Sequence, residues 1–410
     1  MKTLPSKMKC YIIPKKDFLE KQALIVVGFG SADTSFFRGG TRVTHPDGTA
    51  HFLEHKLFAN DHMNVTDEFN KLGASSNAFT NCTNTAYYFT CTENFYESLA
   101  LLSEFVSEPH FTDENVESER GIIGQEIAMY RDSPFWTLQF NLLNALYEIC
   151  PVKKNTLGDE QTIAQITKDT LYEAYHFFYR PENMALICAG DFDEDEVFSK
   201  AAELDAKFYK APNESFDEIS RDYGEEPPRA RETYAETNMR LAHPMFSLGF
   251  KESGFGGSYA ERLTSARIIL DMVAGESSEL FEKLLIGGKI DGPFALEYTA
   301  GNFFGQAVIS NSCANPSEIA EILRDELANA AANGLDGRRF EQIRKKQIGR
   351  FMRGFNSIDG MVSGQADLHY KNTSFQDILD AYDSIRLDTI EARLKNLFRE
   401  DNFALSVIKP

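Results

Sequence analysis

Basic residues are in short supply. The 410 residues hold 42 Lys and Arg against 62 Asp and Glu, a net charge of −20. Such a chain offers no broad cationic footprint, so neither duplex nucleic acid nor an anionic membrane is expected as a partner. Cysteines are few: six, at 10, 82, 91, 150, 188 and 313, with no CxxC pair. That argues against a disulfide framework and against a zinc ribbon. No apolar run approaches a membrane span; the longest, Ala23 to Val27 and on to Phe29, falls far short. The opening Met1-Lys2-Thr3-Leu4-Pro5-Ser6-Lys7-Met8-Lys9 has no apolar core of a secretory signal. Low-complexity tracts are missing too. These absences lead us to expect a soluble, reduced, cytoplasmic protein.

What is present is ordinary globular material, 42% apolar and 25% charged, long enough for two or three domains at roughly 150 residues each. Two segments repeat. Residues 179–187 read Tyr-Arg-Pro-Glu-Asn-Met-Ala-Leu-Ile, and 398–406 read Phe-Arg-Glu-Asp-Asn-Phe-Ala-Leu-Ser, with Arg, Asn, Ala and Leu shared at an offset of 219. The same offset carries Ile166, Asp169 and Thr170 onto Ile385, Asp388 and Thr389. A weaker match at an offset of 224 sets Val116, Glu117 and Arg120 against Phe340, Glu341 and Arg344. A duplicated domain follows.

Residues 210–240 hold Pro212, Asn213, Gly224, Pro227 and Pro228 among many charges and read as an exposed connection. The expected division is a domain over 1–212, a linker over 213–239 and a homologous domain over 240–410. Strand-like runs come in pairs without an intervening helix, as at 8–14 with 22–30 and 294–299 with 305–311. That pattern predicts an α+β fold: two homologous domains, each an antiparallel sheet covered by helices. Single helices are predicted over 48–58, 113–131 and 136–148, and one long helix over 374–397.

Chemistry concentrates in 49–58, Thr-Ala-His-Phe-Leu-Glu-His-Lys-Leu-Phe. On a helix, His51 and His55 stand one turn apart on one face, so both imidazoles reach one ion. Glu54 shares that face, placed to take a proton from a water at the metal. The spelling H-x-x-E-H marks inverzincins. A His pair at this spacing also arises by accident on a helix surface or in a core. Two histidines and a glutamate within five residues, in a chain with 8 His, favour the metal. A catalytic zinc site needs a third protein ligand. The 113–131 segment offers Glu114, Glu117, Glu119 and Glu126. Glu119 and Glu126 share a face in a stretch kept apolar by Ile122, Ile123 and Ile127, whereas Glu114 and Glu117 fit a solvated face.

These motifs, with Gly73-Ala74-Ser75-Ser76-Asn77-Ala78-Phe79-Thr80, Thr85-Ala86-Tyr87-Tyr88-Phe89, Glu119-Arg120-Gly121-Ile122-Ile123-Gly124-Gln125-Glu126-Ile127, Tyr179-Arg180-Pro181-Glu182-Asn183-Met184 and Gly190-Asp191, resemble the pitrilysin/insulysin family of zinc peptidases. The resemblance spans the chain and is closest to the short two-domain members, which include mitochondrial processing peptidase and bacterial relatives. It implies one Zn2+ per chain on His51, His55 and Glu126, Glu54 as general base, and Glu119 as a second glutamate supporting the site. It also implies an edge strand at Asn77 and Ala78 that pairs with a substrate backbone. From spacing alone Asn77 reads as an ordinary turn residue.

The second half departs from the family. Members that complete the site carry an Arg followed seven residues later by a Tyr; here Asp291 stands seven before Tyr298, and no tyrosine has an arginine at that spacing. The second half has no H-x-x-E-H, and Arg350 falls on Glu126 in the weaker repeat. The expectation is a zinc endopeptidase subunit acting on peptides or unfolded polypeptides. Its expected partner is a related chain with an intact Arg/Tyr pair, in a hetero-dimer, a homodimer being the alternative. A non-catalytic scaffold or chaperone subunit is the competing reading, and a metal-dependent amidohydrolase the third.

Overall fold

The computed structural model describes residues 1–60, 63–209, 219–254 and 256–410. The chain folds into two compact units. Each is built on one large sheet, and the first adds a three-stranded and a two-stranded sheet.

The first sheet has six strands in the spatial order Lys2–Thr3, Lys9–Pro14, Met184–Gly190, Lys21–Val27, Thr85–Cys91, Ser75–Thr80. Met184–Gly190 runs parallel to Lys9–Pro14; the other neighbours are antiparallel. The second sheet has five strands in the order Tyr234–Asn238, Phe403–Lys409, Met245–Lys251, Gly305–Ser312, Ala295–Ala300. It too has one parallel pair, Tyr234–Asn238 with Phe403–Lys409, followed by antiparallel ones. The α+β fold expected of each half is therefore observed, with one plan used twice.

The 219-residue repeat is visible atom by atom. Asn183 Nδ2 donates to Phe178 O at 2.8 Å and to Gly28 O at 3.0 Å. Asn402 Nδ2 donates to Leu397 O at 2.8 Å and to Lys251 O at 2.6 Å. Each amide closes the end of a helix, Lys168–Phe178 or Leu387–Leu397, and ties it to the neighbouring strand. The weaker repeat holds as well. Arg120 donates to the Ile163 and Ile166 carbonyls, and Arg344 to the Tyr382 and Asp383 carbonyls.

The units do not follow the sequential division expected at 212 and 240. The first comprises Met1–Ala128, Lys154–Tyr223 and Gly354–Tyr370; the second comprises Met129–Lys153, Gly224–Arg353 and Lys371–Pro410. Burial explains the exchange. Lys21–Val27 is a nearly continuous buried run, so its sheet needs cover on both faces. Helix Ile358–His369 supplies one cover, packing Ile358, Met361, Val362 and Ala366 on Leu24, Val26, Ala185 and Ile187. In the second unit helix Pro134–Leu146 does the same: a Cβ on Gly249 would meet Leu142 and Leu146 at about 3 Å.

Part of the expected linker, 213–218, lies outside the described residues. The remainder carries two strands, Ser220–Arg221 and Tyr234–Asn238. The helix expected over 374–397 is two, Phe375–Ser384 and Leu387–Leu397, because Ile385 and Arg386 are extended. No helix among the described residues is long and apolar enough to cross a membrane.

Candidate metal centre

The 49–58 motif forms helix Thr49–Phe58. Its entry is fixed by Gly48, whose φ of +91° suits glycine and whose missing Cβ would lie 2.5 Å from Leu157 O. Thr49 Oγ1 donates to Pro46 O at 2.7 Å. Helix Asp113–Arg131 brings up the carboxylates. Ile123 and Ile127 are buried, which seats the helix, while Ile122, expected in the same apolar stretch, is 54% exposed. Glu114 and Glu117 face solvent as expected.

His51 Nε2 and His55 Nε2 lie 3.6 and 3.4 Å from the same Glu126 oxygen, Oε2. One ligand atom from each of the three residues falls within 4.8 Å of the others. Ligands about 2.0–2.2 Å from a tetrahedral ion stand roughly 3.3–3.5 Å apart, so these separations fit one ion. His51 is buried; His55 and Glu126 remain partly open, as a site that must admit a substrate requires.

The surrounding contacts orient these groups. His55 Nδ1 lies 2.9 Å from Glu119 Oε1. Glu119 is buried, and its other oxygen stands 3.8 Å from the ammonium of Lys56, itself almost fully buried. When His55 is neutral, a hydrogen bond from Nδ1 leaves its lone pair on Nε2, toward Glu126. Glu54 is buried beside the cluster and accepts from Thr80 Oγ1 at 2.7 Å.

Titration follows from this packing. Burial and the neighbouring His55 charge press His51 down to about 4. Burial also disfavours a charge on His55, but the Glu119 and Glu126 carboxylates outweigh it and lift His55 to about 10. Without a metal the positive charge of the pair therefore sits on His55. Glu126 is held below the usual carboxylate range, first by its hydrogen bond with His55. Burial raises Glu54, and the Thr80 hydroxyl opposes that rise. A carboxyl whose affinity for a proton is raised is suited to accept one and pass it on.

Asn77 and Ala78 lie on Ser75–Thr80, the outermost strand of the first sheet, so Asn77 is a strand residue and not a turn residue. Its side chain accepts from the Ala78 N–H at 2.8 Å. The same strand delivers Thr80 to Glu54. Sequence reasoning missed Thr80 and Lys56. Thr80 is three residues past Asn77 in the quoted motif, and Lys56 adjoins His55, but only the fold puts them against Glu54 and Glu119.

Tyr298 is not presented toward an open site. Its hydroxyl donates to buried Glu252, which also pairs with Arg262 at 3.0 Å and with Arg393.

The family model for insulinase, peptidase family M16, matches residues 36–160, and the model for the M16 inactive domain matches residues 165–347. An uncharacterized zinc protease of Bacillus subtilis, YmfH, is 34% identical over 405 residues, 98% of this chain and 94% of its own. A second uncharacterized zinc protease of that organism, YmxG, is 25% identical over 90% of this chain and 91% of its own. A crystal structure described as an M16-like peptidase from Alicyclobacillus acidocaldarius superposes with a TM-score of 0.94 at 33% identity, covering 100% of this chain and 97% of that one. A Helicobacter pylori protease shares the fold, with a TM-score of 0.85 at 18% identity over 100% of this chain and 98% of that one. A likeness that runs through both halves and nearly end to end makes this chain a member of the M16 peptidase family, in its short two-domain form.

Proposed function

We propose that the chain is a zinc-dependent endopeptidase subunit that hydrolyses peptides or unfolded polypeptides. The observation that carries this reading is the convergence of His51 Nε2, His55 Nε2 and Glu126 Oε2 beside a buried carboxylate, Glu54, that is not part of the triad. His51, His55 and Glu126 would hold the metal, one ion per chain; the names of the relatives and the nitrogen-rich donor set both favour zinc. A zinc ion bound there supplies Lewis-acid polarisation and brings the pKa of a water toward about 7.

The rest falls to the chain's own residues. Glu54 takes the proton of the attacking water and returns it to the leaving amine, with Thr80 fixing one carboxylate oxygen. Glu119, anchored near Lys56, keeps the His55 proton on Nδ1. No further strand pairs with Ser75–Thr80 among the described residues, so an extended peptide can add there beside Glu54, taking over the Ala78 N–H from the Asn77 side chain.

A partner chain belongs to this proposal. In the family that the sequence resembles, an Arg and a Tyr seven residues apart bind the substrate carbonyl and the developing oxyanion. This chain lacks that spacing, and Tyr298 is engaged by Glu252. A lost oxyanion donor costs about 10²–10³-fold in rate. We therefore expect a hetero-dimer with a related chain that has the pair, a homodimer using other residues being the alternative.

A non-catalytic scaffold is the second reading, favoured by the inactive-domain character of the second half. Peptide cleavage by the purified chain, alone and with related chains encoded nearby, separates them. A slow zinc-dependent rate that rises about 10²-fold or more with the partner supports the subunit. No cleavage in any combination, with zinc bound, supports the scaffold.

A further inference from the structure

In the second unit, helix Tyr259–Ala274 stands between the central strand Met245–Lys251 and the outer strand Ala295–Ala300 in chain order, as Thr49–Phe58 stands between Lys21–Val27 and Ser75–Thr80. Helix Gly337–Arg353 is the counterpart of Asp113–Arg131. The place of Glu126 on it is taken by Arg350, and the pair four apart on the facing helix is Arg267 and Asp271. These three residues line one cavity of about 280 Å³.

Its charge is inverted relative to the metal cluster. Asp271 is buried and already engaged, accepting from Lys346 Nζ and Gln347 Nε2 at 2.7 Å each. Arg350 is 3.8 Å from that carboxylate, too far for a hydrogen bond. Arg267 is exposed and makes no ion pair among the described residues. Lys346 and Arg350 thus flank one carboxylate and Arg267 lines the same cavity, in a chain of net charge −20. The Tyr382 hydroxyl, fully buried, lies beside Arg267 and in the field of Arg350 and Asp271. Leu270, Leu296 and Phe351 form an apolar wall.

We propose that this cavity is an oxyanion site that takes a carboxylate carrying an apolar group, such as the free C-terminus of a peptide ending in an aliphatic residue. Guanidinium forks match a carboxylate in a plane, and such charge-assisted bonds are the strong ones. The apolar wall would go unused by inorganic phosphate. The site stands on the second unit's residues alone and does not depend on the peptidase reading.

The test is methyl NMR and calorimetric titration of the full metal-loaded chain with N-acetyl-leucine, its amide and inorganic phosphate. The acid should shift the Leu270 and Leu296 methyl signals, and the amide and phosphate should bind at least about tenfold more weakly. Arg267→Gln and Arg350→Gln should each weaken the acid about tenfold, with melting temperature as the control for folding. Equal binding of acid and amide, phosphate binding as tight as the acid, unmoved Leu270 and Leu296 methyls, or acid affinity kept in both folded variants would each overturn the proposal. Zinc content and peptide cleavage are unaffected by any of these outcomes, so the two readings fail separately.

Discussion

His55 Nδ1 and Glu119 Oε1 lie 2.9 Å apart, joining two helices whose contributing residues are 64 positions apart in sequence. That contact selects which nitrogen of His55 is free to face Glu126. Glu119→Ala should therefore weaken metal binding and slow cleavage, by about 10–100-fold. Glu119→Gln keeps an acceptor and should lose less. Metal affinity from a competitive chelator titration checks both; Glu119→Ala with unchanged affinity and rate would remove Glu119 from its positioning role.

Metal binding should release a proton. His55 is lifted to about 10 in the metal-free chain, whereas His51 is pressed to about 4. Between those values only His55 must lose a proton to become a ligand. Apparent affinity should rise about tenfold per pH unit through neutrality and level off near pH 10. Calorimetry in buffers of different ionisation enthalpy should count about one proton released at pH 7. The linked stability has the opposite sign. A charged His55 stabilises the metal-free fold in full below its ordinary value of 6.5, and that contribution fades as pH climbs through about 10.

Asn183→Ala and Asn402→Ala should destabilise their units alike. Asn183→Ala removes two side-chain hydrogen bonds, to Phe178 and Gly28, and Asn402→Ala removes three, to Leu397 and Lys251 and from the Arg399 N–H. The loss should be about 1–3 kcal/mol in each case, read from denaturant midpoints. Asn402 is fully buried, so its variant leaves carbonyls away from water and should sit at the upper end. A neutral effect at both positions would show that the repeated asparagines are not the locks their geometry describes.

The repeated plan was legible because Asn183 and Asn402 must make the same bonds in both copies, which keeps the flanking residues in register. The His51–His55 pair was legible because helical spacing alone puts two imidazoles on one face. The third position was legible only through the family resemblance: Glu126 lies 71 positions beyond His55, and periodicity showed only that Glu119 and Glu126 share a side. The exchange of covering helices was not legible. Helix Ile358–His369 carries Gly360 and Gly364, which lower helix propensity, and packing on Leu24 and Ile187 holds it. Lys56 reads as a surface lysine beside two histidines, and only the packing around Glu119 buries it.

Glu54 stands at the centre of the proposed chemistry, as the proton acceptor beside a metal held by other residues, and Glu54→Gln tests that role most directly. The variant keeps His51, His55 and Glu126, so zinc measured by mass spectrometry should stay at about one per chain while peptide cleavage falls by at least about 10²-fold. Zinc retained together with near wild-type cleavage would contradict the role of Glu54 and the chemistry built on it.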